Sequence, residues 1–171
     1  PSLLPWAPAA AGGKVAAMTV TPDGSKVVVG GQFTTVNGSS NPGYGMAAID
    51  PTSGALVPWA ANSAIRNAGP NSSITSLHTD GDSVYASGFT FGSGGNFEGS
   101  ARINLDGTVN WVDDCHGDTY EVYPRGGAVY KVGHAHYCGN HPGGFAQPNP
   151  WRFYRAMAFS KEATGTLRAD Y

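Results

Sequence analysis

The feature that most limits what this chain can fold into is a unit that occurs more than once. Residues 27–59 contain Val27-Val28-Val29-Gly30-Gly31-Gln32-Phe33, a polar loop, then Met46-Ala47-Ala48-Ile49-Asp50 and, after a turn, Leu56-Val57-Pro58-Trp59. Each half recurs downstream in altered form, and self-similarity at a period of tens of residues dictates a stack of like units. Leu4-Pro5-Trp6-Ala7 resembles Val57-Pro58-Trp59-Ala60, and Val109-Asn110-Trp111-Val112 is a looser copy. The tryptophans fall 53 and 52 residues apart.

Within each unit the punctuation is that of hairpins. Val15 to Val20, Pro22-Asp23-Gly24 and Lys26 to Gly30 form one pair of strands; Ile74 to Thr79, Asp80-Gly81 and Ser83 to Gly88 form its counterpart. Asp-Gly between short apolar segments is a strong hairpin signal, because glycine accepts the positive φ that such turns demand. A second hairpin follows, with Met46 to Asp50 or Ala101 to Leu105 leading through Thr52-Ser53-Gly54 or Asp106-Gly107 to the Trp strand. Thr119 to Pro124, Ala128 to Gly133, Arg155 to Ser160 and Thr166 to Tyr171 give a divergent third copy, with Ile49, Ile103 and Phe159 in register. Helix is nearly absent, and Ser160 to Ala163 reads as a connecting turn.

Repeated four-strand units predict an all-β chain of β-propeller blades over residues 14–59, 74–112 and 119–171, with residues 3–7 the outer strand of a preceding blade. A β-sandwich lacks such self-similarity, and β-helix repeats are usually much shorter. About three blades fall short of the 4 to 8 of a closed ring. The expectation is therefore part of a larger propeller, completed by the same protein or by a second copy. Gly30, Gly31 and Gly88 are expected to bend the end of the second strand where a side chain would strike the next blade. No phosphate-loop pattern surrounds them.

The run of an apolar strand, Pro22-Asp23-Gly24, Val27 to Phe33, Thr34-Thr35-Val36-Asn37-Gly38 and Ala47-Ala48-Ile49-Asp50-Pro51 resembles the delta-sixty type of β-propeller repeat of secreted and surface proteins of bacteria, actinobacteria especially. The match is close over 14–59, good over 74–112 and loose from 119, where Gly133-His134-Ala135-His136 replaces Gly-Gly-x-Phe. The resemblance implies a secreted or cell-surface scaffold or binding module, with no catalytic motif to transfer.

Charged residues make up 13% of the chain and the formal net charge is −2, which disfavours nucleic acid as a partner. No apolar run approaches the ~20 residues that span a bilayer, so membrane insertion is not expected.

Function is expected on the face that carries the long loops, 33–45, 89–100 and 134–154, and the links 60–73 and 113–118. Tyr44, Phe97, Trp151 and Tyr154 are the candidate aromatic platforms for a glycan; a protein partner is the other class. No cofactor is required. His-x-His on an extended segment turns both imidazoles to one side, so His134 and His136, with His116 approaching, are the candidate ligands of a divalent metal. Asp113, Asp114, Asp118 and His141 lie near them in sequence. Cys115 and Cys138 are expected to form a disulfide tying the link 113–118 to the loop 134–154. A free thiol with His116 or His136 as its base is the alternative, which an oxidising compartment disfavours. Two functional classes follow: a non-catalytic binding or structural module, or a hydrolase or other metal-assisted enzyme using His116, His134 and His136.

Overall fold

The computed structural model describes residues 1–92, 94–113, 115–139 and 143–162. Every sheet is antiparallel. A two-stranded pair joins β1 (Ala10–Ala11) to β4 (Thr35–Val36). The first four-stranded sheet runs β2 (Val15–Val20), β3 (Val27–Gly31), β5 (Met46–Ile49), β6 (Leu56–Val57) in spatial order. After one turn of helix, α1 (Ala61–Ala64), the second sheet runs β7 (Ser72–Asp80), β8 (Ser83–Thr90), β9 (Gly99–Asn104), β10 (Val109–Val112). The third contains β11 (Thr119–Arg125), β12 (Ala128–Ala135) and β13 (Tyr154–Ser160). The expected strand Thr166 to Tyr171 lies outside the described residues.

Acidic turns make these hairpins. The Asp23 carboxylate accepts hydrogen bonds from the Thr21 hydroxyl at 2.7 Å and from the Ser25 amide at 3.0 Å, which hold its pKa down at about 2. Asp50 accepts from the amides of Thr52 and Ser53, and Asp106 from Thr108. Such side-chain bonds fix the turn locally, before any long-range contact.

Register aligns the three sheets residue by residue. Val27, Val84 and Val129 stand opposite Ile49, Ile103 and Phe159. Each first strand pair shifts register at one place: between Val15 and Ala17, Ile74 and Ser76, and Thr119 and Glu121. A bulge there adds local twist. The sheets pack in chain order, β2 and β3 against β7, and β7 to β9 against β11. Val28, Met46 and Ala48 of the first sheet share one buried cluster with Leu77, Val84, Ala86, Ala101 and Ile103 of the second. Tyr85 and Trp111 of the second sheet cluster with Val122 and Val129 of the third.

Two expectations are corrected. Residues 3–7 form no strand; Trp6 instead packs on the first sheet's cluster and donates its indole N–H to the Asp50 carbonyl at 2.9 Å. Among the described residues the one α-helix is α1, in the link between the first two sheets, and residues 161–162 form a turn after β13, as expected. Only Gly30 is excluded by the next sheet, since a Cβ there would lie 2.5 Å from Ile74 Cγ2. At Gly31 the obstacle is the Lys14 carbonyl, and at Gly88 it is the Ser73 carbonyl and Phe97.

Candidate functional site

A groove of about 410 Å³ opens where the link 113–118 meets the end of β12. Its walls come from two sheets. Glu98, just before β9, with His116 and Gly117 of the link, faces His136, Tyr137, Gln147 and Trp151 from the long segment between β12 and β13.

Backbone pairing holds the walls together. The His134 amide donates to the Asp118 carbonyl at 2.9 Å, and the His136 amide to the His116 carbonyl at 2.6 Å. Cys115 and Cys138 are disulfide-bonded and buried, as expected for a link and loop that emerge together. Cys138 also pairs with Phe145 through two backbone hydrogen bonds, which closes the loop on itself.

Beneath lies a buried ion pair. Lys131 Nζ reaches the two carboxylate oxygens of Asp113 at 3.0 and 2.9 Å, and Asp113 also accepts from the Ser100 amide at 3.1 Å, the Ser100 hydroxyl and the Cys115 amide at 3.2 Å. Burial pulls the Lys131 pKa down, and Asp113 opposes that shift. The pair is structural: it ties the end of β10 to β12 where no bulk water replaces it.

Glu98 has the more chemical environment. Burial raises its pKa from the ordinary value; a hydrogen bond from the Gly117 amide works against the rise, and the Asp118 carboxylate adds to it. His116 Nδ1 lies 3.9 Å from Glu98 Oε2, with its ring stacked on Tyr137 at 4.4 Å between centroids.

The two imidazoles of His134-Ala135-His136 share one side, 5.5 Å apart between centroids, with Ala135 buried between them. Their nitrogens take different partners. His134 Nδ1 lies 3.0 Å from the Tyr120 hydroxyl, while His136 Nδ1 donates to the Gln147 side-chain carbonyl at 3.1 Å. Among the described residues no three His, Cys, Asp or Glu side chains form a set that could hold a metal ion. His116 and His136 thus line one groove while His134, beside His136, is turned to Tyr120. Asp114 and His141 lie outside the described residues.

The four aromatic candidates separate. Trp151 is exposed on the groove rim, braced edge-on by His136 at 5.4 Å and Phe153 at 6.5 Å between centroids. Tyr154 packs on Phe145 and lines an adjoining cleft with Arg152 and Phe153. Tyr44 lies in the first sheet's loop, among residues that do not line the groove. Phe97 is corrected: it is fully buried in the core, so its ring offers no face to a ligand.

Comparison of the chain with protein-family models, with curated proteins and with solved structures finds no match. The site therefore has to be read from its own chemistry.

Glu98, Tyr137 and Gln147 are groove residues that reading the sequence did not single out. Glu98 had a local signal, an acid between the aromatic Phe97 and Gly99 at a strand entrance. Gln147 had none, since its role depends on His136, eleven residues earlier.

Proposed function

We propose that the chain is a run of blades from an extracellular β-propeller and acts as a non-catalytic module that binds a glycan in the groove between the second and third sheets. The observation that carries this reading is Trp151, an exposed indole braced at the rim of a groove that also presents the side chains of Glu98, His136, Tyr137 and Gln147. A pyranose offers an apolar C–H face to such a ring, and its hydroxyls suit Gln147, His136, Tyr137 and Glu98; shallow sites with a few convergent polar groups are built this way. The propeller reading is supported by three successive sheets with matching register and matching bulges, stacked in chain order. The rest of the ring would come from further sheets of the same protein or from a second copy. An intramolecular disulfide fits a secreted or cell-surface setting. Among the described residues no helix is long and apolar enough to cross a membrane.

Affinity electrophoresis against a panel of polysaccharides tests the reading. Retardation by one of them, reduced about tenfold or more in Trp151→Ala and unchanged in Tyr44→Ala, is the expected result. A protein partner in place of a glycan would leave the whole panel without effect. One observation favours hydrolysis as the second reading: a carboxyl with raised pKa beside an imidazole is the equipment of a general acid. Release of reducing sugar that disappears in Glu98→Gln would establish that reading instead.

A further inference from the structure

We infer that the two outer faces of the stack are halves of one interface, and that a second copy of this chain joins to it head to tail. The inference rests on reading the sheets as repeated units.

Each sheet has a leading face, turned toward the preceding sheet, and a trailing face, turned toward the next. Register assigns the equivalent positions. Met18, Leu77 and Val122 stand opposite Val29, Ala86 and Lys131, on the leading faces. Val28, Tyr85 and Tyr130 are the next residues along the second strands and point the other way. Wherever two sheets meet, both positions are covered: Leu77 is 5% exposed beside Val28 at 0%, and Val122 is 0% exposed beside Tyr85 at 1%. At the ends the same positions are open, with Met18 61% exposed and Tyr130 51%.

The open faces extend well beyond these two residues. On the leading side Val15 and Val20 are exposed, and an apolar cleft of about 280 Å³ lies between Met18, Trp6 and Ile49. Opposite Tyr130 and Val132 on the trailing side stand Ala158 and Ala156, with Tyr123 beside Tyr130, and all are exposed. Contiguous apolar surface of this kind marks an interface. What covers it is indicated by continuity with the two internal interfaces, where Leu77 and Val28 belong to one buried cluster, and Val122 and Tyr85 to another. The exposed leading face around Met18 is apolar, as is the exposed trailing face around Tyr130, so the two can cover each other as the internal faces do.

The contact is heterologous, because different surfaces meet, and such contacts generate closed rings when the rotation per unit allows. Two copies of three sheets give six, within the range of known propellers. Met18 of one copy then packs near Tyr130 of the other, and this occurs twice in the dimer.

Two measurements test it. Sedimentation of the full chain should show a dimer that Met18→Asp or Tyr130→Asp weakens about tenfold or more, since each buries a carboxylate without a partner. Both positions are exposed in the single chain, so unchanged melting by circular dichroism at low concentration verifies that the variants fold. Independently, a Met18→Cys chain mixed with a Tyr130→Cys chain should oxidise to the mixed disulfide in preference to either homodimer. A monomer at the highest soluble concentration, a dimer indifferent to both substitutions, or preferential Met18→Cys or Tyr130→Cys homodimers would overturn the inference. Loss of glycan binding in Trp151→Ala is read by a different assay at a different place, so either idea can fail alone.

Discussion

Lys131 stands where the first two sheets have Val29 and Ala86, inside a leading face that is otherwise apolar. Such a replacement is tolerated only because Asp113 meets it with both oxygens. Lys131→Ala should therefore destabilise the chain by about 3–5 kcal/mol, as expected when one member of a buried pair is left alone. Urea titration measures the loss. Glu98 makes the opposite case, a carboxyl that folding pushes toward its neutral form. Its folded pKa is raised, so any stabilisation linked to it is fully present below the unfolded value and is lost as pH rises through the folded value. Glu98→Gln should consequently match the parent in acid and exceed it in stability near neutral pH. Thermal melts on both sides of about pH 4.3 check this, and equal melting shifts at the two pH values would contradict it.

At the level of elements, the disulfide carries a separable consequence. The cysteines are 23 residues apart, so reduction should cost about 3 kcal/mol on the loop-closure estimate, felt mainly in the third sheet and its loop. Amide exchange should quicken around His136 and Phe145 while β3, β5 and β8 stay protected. The hairpins were legible because their signals are local: Asp23, Asp50 and Asp106 close turns with their own neighbours between short apolar segments. The Ile49, Ile103 and Phe159 alignment was legible for the same reason. What escaped depends on distant partners. Phe97 is drawn inside because the Asn67 amide, thirty residues earlier, donates to its carbonyl at 2.6 Å and accepts from its N–H at 3.1 Å. The environment of Glu98 is made by Gly117 and Asp118 of the link, and β1 exists only because β4 is present to pair with it. His-x-His predicted the side on which the two rings lie, but not that Tyr120 and Gln147 would occupy their nitrogens.

For the whole molecule, stability should depend on concentration. A stack whose ends are open and apolar gains free energy when those ends are covered, and that gain follows mass action. Tm should rise with protein concentration in the parent chain and stay level in Met18→Asp, a comparison that scanning calorimetry makes directly. Three sheets tied in sequence also predict uneven cooperativity. The first two share one large apolar cluster. The third adds polar ties to its neighbour: His78 to Glu121 at 2.7 Å, Lys161 to Asp80, Lys131 to Asp113, and the Trp111 N–H to the Lys161 carbonyl at 3.0 Å.

That the groove draws Glu98 from one sheet and Trp151 from the next gives it a mechanical meaning. Its walls sit on two sheets that pack against each other, so a molecule lodged there would touch both and oppose their separation. Occupancy and the disulfide then act as parallel ties across one seam. A bound ligand should offset part of what reduction removes, by about 2.7 kcal/mol at a hundred times its Kd. Pulling the two sheets apart would, in turn, expel the ligand.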